Sequence, residues 1–279
     1  MPAPFKPKLA AAALLCGALS GQDARLIVRK AVEADARNAE LARNYTFMEH
    51  SVQRQFDDLG RVKSVRSRLF DVTIQEQSPY RRLIARDGQP LSAAEQAAEM
   101  ANLQRSIEER RRETPAQRAK RMQEWEKRRE RQRRFLREIP LAFDFTLLRE
   151  EHIEGRPVWV IRATPKPDYR PQTTEGRVLA KLAGTLWIDQ TDYQWVKLEA
   201  SAVETITFGW LLVRVARGAS IQAEQTRVHE KLWLPKHVVA TYRARIGLVK
   251  LISGQHEITY SNYRKFQAES HFQPMAPEY

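Results

Sequence analysis

The 279-residue sequence contains one cysteine, Cys16, and lacks the short motifs that mark common catalytic sites. It has no His-Glu-x-x-His motif, no glycine-rich phosphate loop and no Gly-x-Ser-x-Gly elbow. The six histidines, at positions 50, 152, 229, 237, 256 and 271, do not have the spacing of a zinc site. The sequence therefore predicts a protein that is not an enzyme, with no metal and no other cofactor.

Long apolar runs are also scarce. The run at residues 9–19 is shorter than the roughly 20 residues that a membrane-spanning helix needs. Two lysines precede it and small residues stand just before Gly21, which predicts a cleaved secretory signal peptide over 1–20 and a periplasmic protein. Two alternatives stay open, namely a helix retained in the fold and a lipidated Cys16, although Leu15 is large for a lipidation site.

Acidic residues are in the minority, because 47 Lys and Arg oppose 34 Asp and Glu and give a formal net charge of +13. More than half of this excess lies in 105–138, where fourteen basic residues oppose seven glutamates. The sequence therefore predicts a basic helical segment beside a sheet that is not strongly basic. Such a charge is typical of nucleic-acid binding, but the predicted export argues against a nucleic-acid partner.

Residues 23–91 change from a helical period to a strand period. Apolar residues at helical spacing after Asp23 predict a helix over 23–42. Alternation then predicts strands at 45–54, 62–74 and 80–86. A turn at 57–60 separates the first two strands and a turn at 87–90 ends the third, and both turns contain Asp and Gly.

Residues 92–139 are rich in Arg and Glu. Ser92 with Glu95, and Thr114 with Gln117, have the spacing of capping boxes, which predicts helices at 93–113 and 115–138. Their apolar stripe is thin, so we expect the pair to pack weakly on the sheet. The basic side chains proposed to meet an anionic surface are Arg128, Arg129, Arg133 and Arg134.

After Pro140 the alternation returns. It predicts strands at 143–149, 158–163, 211–217, 221–228, 232–234, 237–246 and 257–262, and a proline-rich loop at 165–175. Short links between the strands favour antiparallel pairing. The predicted fold class is α+β, with a curved antiparallel sheet, or incomplete β-barrel, that covers helices and carries a long charged helical insertion.

Residues 184–202 are the centre of this pattern, as two alternating strands broken by the polar turn 190–192. Asp189 and Asp192 are interpreted as turn-forming residues rather than catalytic carboxylates. His229 and His237, which flank one strand pair, are interpreted as surface or turn residues rather than ligands of a metal.

Alternation also predicts rows of apolar side chains on one concave face. Core packing is one interpretation of these rows, and an acyl-chain groove that helix 23–42 leaves open is the other. The predicted lipid-binding residues are Trp159, Ile161, Leu186, Ile188, Val196, Leu198, Val238, Ala240 and Tyr242. The tryptophans at 187, 195, 210 and 233 also fall on or beside predicted strands.

Three short segments resemble one known family. They are 184–189 with 195–199 (Gly-Thr-Leu-Trp-Ile-Asp and Trp-Val-Lys-Leu-Glu), 232–235 (Leu-Trp-Leu-Pro) and 258–266 (Ile-Thr-Tyr-Ser-Asn-Tyr-Arg-Lys-Phe). They resemble LolA/LolB-like periplasmic lipoprotein carriers, and most closely the uncharacterised secreted bacterial proteins described as lipoprotein-sorting-like. The resemblance implies an incomplete antiparallel barrel over helices, with an apolar cavity for acyl chains. The helical insertion departs from the family pattern.

The predicted organisation is a signal peptide (1–20), a helix with the first strands (21–91), a charged helical hairpin (92–139), the remaining strands (140–266) and a tail (267–279). The first functional hypothesis is an envelope protein that binds a lipid or lipoprotein acyl chain. The second is an adaptor whose Arg-rich helices bind an anionic membrane or an acidic partner. A third, an extracytoplasmic hydrolase, lacks a catalytic constellation in the sequence.

Overall fold

The computed structural model describes residues 21–75, 78–208, 213–229, 232–247 and 250–266. The predicted signal peptide at 1–20, Trp210, His271 and the tail at 267–279 lie outside these described residues.

The order of helices and strands follows the sequence prediction closely. The chain starts with α1 (Gly21–Ala42), β1 (Tyr45–Phe56), β2 (Val62–Gln75), β3 (Ser78–Arg86), β4 (Gln89–Pro90), α2 (Ala93–Arg111) and α3 (Pro115–Ala142). It continues with β5 (Phe143–Ile153), β6 (Arg156–Pro165), α4 (Thr174–Leu179), β7 (Leu182–Asp189) and β8 (Trp195–Ala202). The last strands are β9 (Ile206–Phe208), β10 (Val213–Val215), β11 (Ser220–His229), β12 (Leu232–Ile246) and β13 (Lys250–Lys265).

The strands form one open sheet of 13 strands, in the order β4-β3-β2-β1-β13-β12-β11-β8-β7-β6-β5, with β10 beside β12 and β9 beside β10. Every described strand pair is antiparallel, as short connections require. The sheet does not close, because its edges β4 and β5 do not pair and are instead joined through α2 and α3. The predicted α+β fold with an incomplete barrel is confirmed.

Several predicted boundaries are wrong. The loop predicted at 165–175 ends in helix α4, because the Thr173 side chain accepts a hydrogen bond from Gly176 N and caps its start. The two strands predicted at 232–234 and 237–246 are one strand, β12, which tolerates Pro235 next to a register shift. Helix α3 also runs past Pro140, to Ala142.

The apolar core lies between α1 and one face of the sheet, which we call the inner face. Val28 and Ala31 of α1 are fully buried against the strands β5 to β7, as are Ile161 and Ile188 from the sheet. A second, smaller cluster on the outer face contains Val158, Val160, Trp187, Val196 and Trp233. Helix α1 therefore covers the inner face at the β5 end of the sheet.

The helical hairpin contacts the rest of the fold near its turn and at its C-terminal end, so the expectation of weak packing is corrected at these two places. Leu103 of α2 is buried, and Arg121 Nη1 donates to Ser78 Oγ of β3 at 2.5 Å. At the other end, Phe135 and Ile139 of α3 pack against the core beneath α1. The thin apolar stripe gave no sign of the contact near the turn, because that contact is polar and comes from Arg121.

Candidate ligand-binding face

Strand register places two rows of side chains on the inner face, because directly opposed residues of neighbouring strands point to the same side. The first row runs from β7 to β2 through Leu186, Leu198, Ala223, Val238, Ile258, Ser51 and Arg68. The second row runs through Gly184, Ala200, Ile221, Ala240, His256, Gln53 and Arg66. Both rows therefore change from apolar to polar and then to cationic along the sheet.

The apolar end of the rows is filled by α1. Ile161 and Ile188 are 0% exposed and Leu186 is 5% exposed, and all three belong to the closed core. Trp159 and Leu198 are partly buried and pack against the same cluster. Five of the predicted lipid-binding residues are therefore core residues in this structure, as the core-packing interpretation expects.

Val196 does not share a face with Leu198, which corrects the simple alternation. Leu198 pairs with Leu186 and Lys197 with Trp187, but Ile188 then pairs with Trp195. This register shift leaves Val196 without an opposite residue, as in a β-bulge. Val196 consequently packs on the outer face with Trp187 and Trp233, and not on the inner face.

Val238, Ala240 and Tyr242 lie on the inner face where α1 no longer covers it. All three are half-buried, and none belongs to either described core cluster. Tyr242 packs over Gly254, because a Cβ added to that glycine would lie 2.9 Å from Tyr242 Oη. Val238 and Ala240 keep part of their surface exposed, so they form a partly accessible apolar strip.

A cavity of about 150 Å³ adjoins this strip on β1, β2, β3 and β13. Its lining residues are Ser51, Gln53, Arg66, Arg68, Phe70, Arg81 and His256. At its floor, Ser51 Oγ lies 2.8 Å from His256 Nε2. The Arg81 guanidinium stacks 4.1 Å from the centre of the Phe70 ring and pairs with Glu49.

The charges around this cavity are not balanced. Arg81 is neutralised by Glu49, and Arg86, opposite Arg68 on β3, pairs with Glu95 at 3.1 Å. Arg66 and Arg68 are exposed, and neither side chain makes a hydrogen bond or ion pair with any residue that the structure describes. Two positive charges therefore remain at the cationic end of the rows.

Tyr260 lies on the same face and does not reduce this positive charge. Burial, and secondly the nearby Glu49 carboxylate, raise the pKa of Tyr260 above its ordinary value. The phenol is therefore neutral at physiological pH, and Glu49 remains the nearest carboxylate to Arg81.

The arginines predicted to meet an anionic surface fall into two groups. Arg129 pairs with Glu126 at 3.5 Å, and Arg133 pairs with Glu126 and with Glu130. Arg128 and Arg134 are exposed, and no ion pair joins either one to the described part of the chain. Glu130 pairs with Arg133 at 3.0 Å and with Arg137 at 3.7 Å.

Asp189 and Asp192 organise a turn, as predicted. Asp189 Oδ1 accepts hydrogen bonds from Thr191 N at 2.9 Å and Asp192 N at 2.7 Å. Arg156 binds both carboxylates, at 2.6 Å for Asp189 Oδ2 and 3.0 Å for Asp192 Oδ2. These contacts fix the β7–β8 connection against β6.

The two histidines of the β11–β12 pair make ordinary side-chain contacts. His237 Nε2 lies 3.0 Å from Glu257 Oε1, and His229 packs beside Tyr45. Among the described residues no three His, Cys, Asp or Glu side chains converge as metal ligands would. No described helix has the length and apolarity to cross a membrane.

Sequence reasoning missed the cationic cavity. The signal was present, because Arg66, Arg68 and Phe70 alternate along β2 and so share one face. The prediction of a weakly basic sheet averaged charge over the whole strand region, and is corrected at this site. That β2 carries these side chains on the inner face follows only from its pairing with β1.

Comparison with known proteins gives matches to solved structures only. No protein-family model and no curated protein matches the chain. An outer membrane lipoprotein-sorting protein domain from Vibrio parahaemolyticus is 12% identical with a TM-score of 0.33, covering 90% of this chain and 95% of that chain. A LolA superfamily protein from Nitrosomonas europaea is 12% identical with a TM-score of 0.28, covering 88% and 94%.

A third similar structure is the MucA/MucB complex of Pseudomonas aeruginosa, at 12% identity and a TM-score of 0.23, covering 88% of this chain and 100% of that chain. The names of the first two structures are those of the family that the sequence segments resemble. All three TM-scores lie below 0.5.

Proposed function

We propose that this protein binds the acyl chain of a lipid or lipoprotein on the uncovered part of its inner face, without catalysing a reaction. The proposal includes export to the periplasm with removal of 1–20. The observation that carries it is the strip of half-buried Ala223, Val238, Ala240 and Ile258, which continues the closed core beyond α1.

The small side chains in this strip favour an extended apolar ligand. Ala223 and Ala240 leave room above the sheet between the larger Val238 and Ile221. Each methylene that a ligand buries there contributes about 0.8 kcal/mol. A long acyl chain therefore supplies enough free energy to exceed the cost of association.

The test is uptake of a fluorescent fatty-acyl probe by delipidated protein. Ala240→Trp fills the strip and is expected to reduce uptake at least tenfold, with a loss of stability of about 1 to 3 kcal/mol from overpacking. Gln222→Trp is the matched control, since Gln222 is exposed on the outer face of the neighbouring strand. Absence of uptake by the wild type, or unchanged uptake by folded Ala240→Trp protein, contradicts the proposal.

A second candidate function is binding to an anionic membrane surface through α3. It is supported by Arg128 and Arg134, whose exposed side chains have no ion pair within the described residues. Co-sedimentation with anionic vesicles is expected to fall steeply with salt, because exposed charges are screened within ~10 Å at 0.1 M salt. R128Q/R134Q should weaken this binding, and equal binding by the variant contradicts the role of α3.

A further inference from the structure

We infer that Arg66 and Arg68 bind the anionic head group of the amphiphile, a carboxylate or phosphate, while its acyl chain lies on the Val238 and Ala240 strip. The inference rests on the proposed function for the position of the chain. The head-group site itself depends on the cavity of about 150 Å³ and on the charges around it.

The first argument is the order of side chains across the sheet. From β12 to β2, one row passes from Val238 through Ile258 and Ser51 to Arg68. Strands lie about 4.8 Å apart, so the apolar and cationic ends of this row are separated by roughly 14 Å. An amphiphile lying across the strands meets apolar, polar and cationic surface in the same order as its own tail, linker and head.

The second argument is geometric. Arg66 and Arg68 are two residues apart on one strand, which places their Cα atoms roughly 6.6 Å apart on the same face. Two guanidinium groups at this spacing can both donate to one carboxylate or phosphate, and charge-assisted hydrogen bonds of this kind are the strong ones. The Ser51–His256 pair adds polar groups beside them.

The third argument is the uncompensated charge. The two other arginines of this region, Arg81 and Arg86, already bind Glu49 and Glu95. Arg66 and Arg68 face the cavity without a carboxylate among the described residues. Like charges side by side on a strand disfavour the fold, so an anion between them removes a repulsion as well as adding hydrogen bonds.

The experiment compares a long-chain fatty acid with its methyl ester, at low salt and at a pH well above the carboxyl pKa. The wild type should bind the acid about tenfold more tightly than the ester. A tenfold change in affinity corresponds to about 1.4 kcal/mol, and a hydrogen bond to a charged group contributes at least this much. R66Q/R68Q should remove this preference and keep ester binding. R66K/R68K should retain part of it.

R105Q/R118Q is the matched control, because it removes the same charge from exposed arginines of α2 and α3 and should keep the tenfold preference. Thermal unfolding of each variant confirms that it is folded. Inorganic phosphate is the third probe. If millimolar phosphate abolishes the preference, the site also binds free anions. This result supports an anion site at Arg66 and Arg68 that is not restricted to lipid head groups.

Failure of the two proposals can be told apart. Equal binding of acid and ester by the wild type, or an unchanged preference in R66Q/R68Q, overturns the head-group site and leaves acyl binding intact. Phosphate binding that needs Arg66 and Arg68, with no binding of either amphiphile, supports the anion site and overturns the proposed function. Binding of none of the three probes overturns both.

Discussion

The side-chain amide of Asn38 binds the main chain of Trp233 through both of its polar atoms. Nδ2 donates to Trp233 O at 2.7 Å, and Oδ1 accepts from Trp233 N at 2.9 Å. Asn38 is only 7% exposed and lies near the C-terminal end of α1, whereas Trp233 is the second residue of β12. The pair therefore fixes where α1 ends on the sheet and how much of the inner face stays uncovered.

Replacing Asn38 with alanine should destabilise the protein by about 2 to 4 kcal/mol. The substitution leaves a buried donor and a buried acceptor of Trp233 without partners, and each such group costs about 1 to 3 kcal/mol. Urea unfolding measures the change. Arg37→Ala, one residue away and exposed, is the control and should change stability by less than about 0.5 kcal/mol. If Asn38→Ala leaves the free energy of unfolding unchanged, water has replaced the hydrogen bonds of the amide.

Asp189→Asn should cost about 3 kcal/mol, because it breaks a buried ion pair on one side. Asp189 is fully buried and receives two hydrogen bonds from Arg156, at 2.6 and 2.8 Å. Glu154→Gln is the control, since Glu154 pairs with Lys236 at an exposed site and such pairs contribute at most about 1 kcal/mol. Equal effects of the two substitutions in chemical unfolding would contradict the importance of burial.

Acid should weaken the fold through the same residue. Burial raises the pKa of Asp189, but hydrogen bonds from Arg156 and from the N–H groups of Asp192 and Thr191 outweigh it, so the pKa lies below its ordinary value. The carboxylate therefore stabilises the fold above the unfolded-state pKa of about 3.9 and loses this effect as the pH falls through the lower folded-state pKa. Asp189→Asn should flatten the stability profile below about pH 4.

Asp35→Asn should stabilise the protein at neutral pH, whereas Asp189→Asn should destabilise it. Burial raises the pKa of Asp35 to about 6, and no hydrogen bond or ion pair to the carboxylate is found within the described residues. Ionisation therefore costs stability, starting above about pH 4 and complete above about pH 6. At pH 7 the substitution should raise the free energy of unfolding by about 3 kcal/mol, since the folded-state pKa of about 6 lies about two units above the unfolded-state value and one pKa unit equals 1.36 kcal/mol.

The control for Asp35 is Glu33→Gln, an exposed carboxylate on the same helix. It should show no comparable gain across the same pH range. If Asp35→Asn is as stable as the wild type at pH 7, the carboxylate is better solvated than its burial implies.

Ser78→Ala should loosen the helical hairpin locally. Ser78 is 2% exposed, its hydroxyl accepts from Arg121 at 2.5 Å, and the Gln75 carbonyl beside it accepts from Arg110 at 2.8 Å. We expect a global loss of about 1 kcal/mol and faster amide hydrogen exchange around the α2–α3 junction. Ser64→Ala on β2 is the control, and identical exchange in the two variants would contradict the anchoring role of Ser78.

Much of the fold was predictable because it depends on local sequence patterns such as the alternation of side chains along a strand. Val158 and Val160 alternate with Trp159 and Ile161, and the structure sends the two pairs to opposite faces. The bulge at Val196 was not predictable, since Trp195 and Val196 are both apolar and alternation carries no mark of the extra residue. A bulge is set by packing on both faces at once.

The candidate site was less predictable than the fold. Alternation places Arg66 and Arg68 together, but their face is decided by pairing of β2 with β1, and of β1 with β13 far along the chain. Likewise, Ile161 and Val238 share a face and a similar hydrophobicity, yet α1 buries one and not the other. The reach of a helix over a sheet is a tertiary property that hydropathy does not contain.

The strand order has a consequence for how the chain folds. In the described sheet, β1 to β4 join the other strands only through the ladder between β1 and β13, in which Ser51 opposes Ile258. More than two hundred residues separate such partners, so this ladder has high contact order and should form late. Until β13 has been synthesised, β1 and β12 each present an unpaired edge, and a chain truncated before Lys250 should self-associate through them.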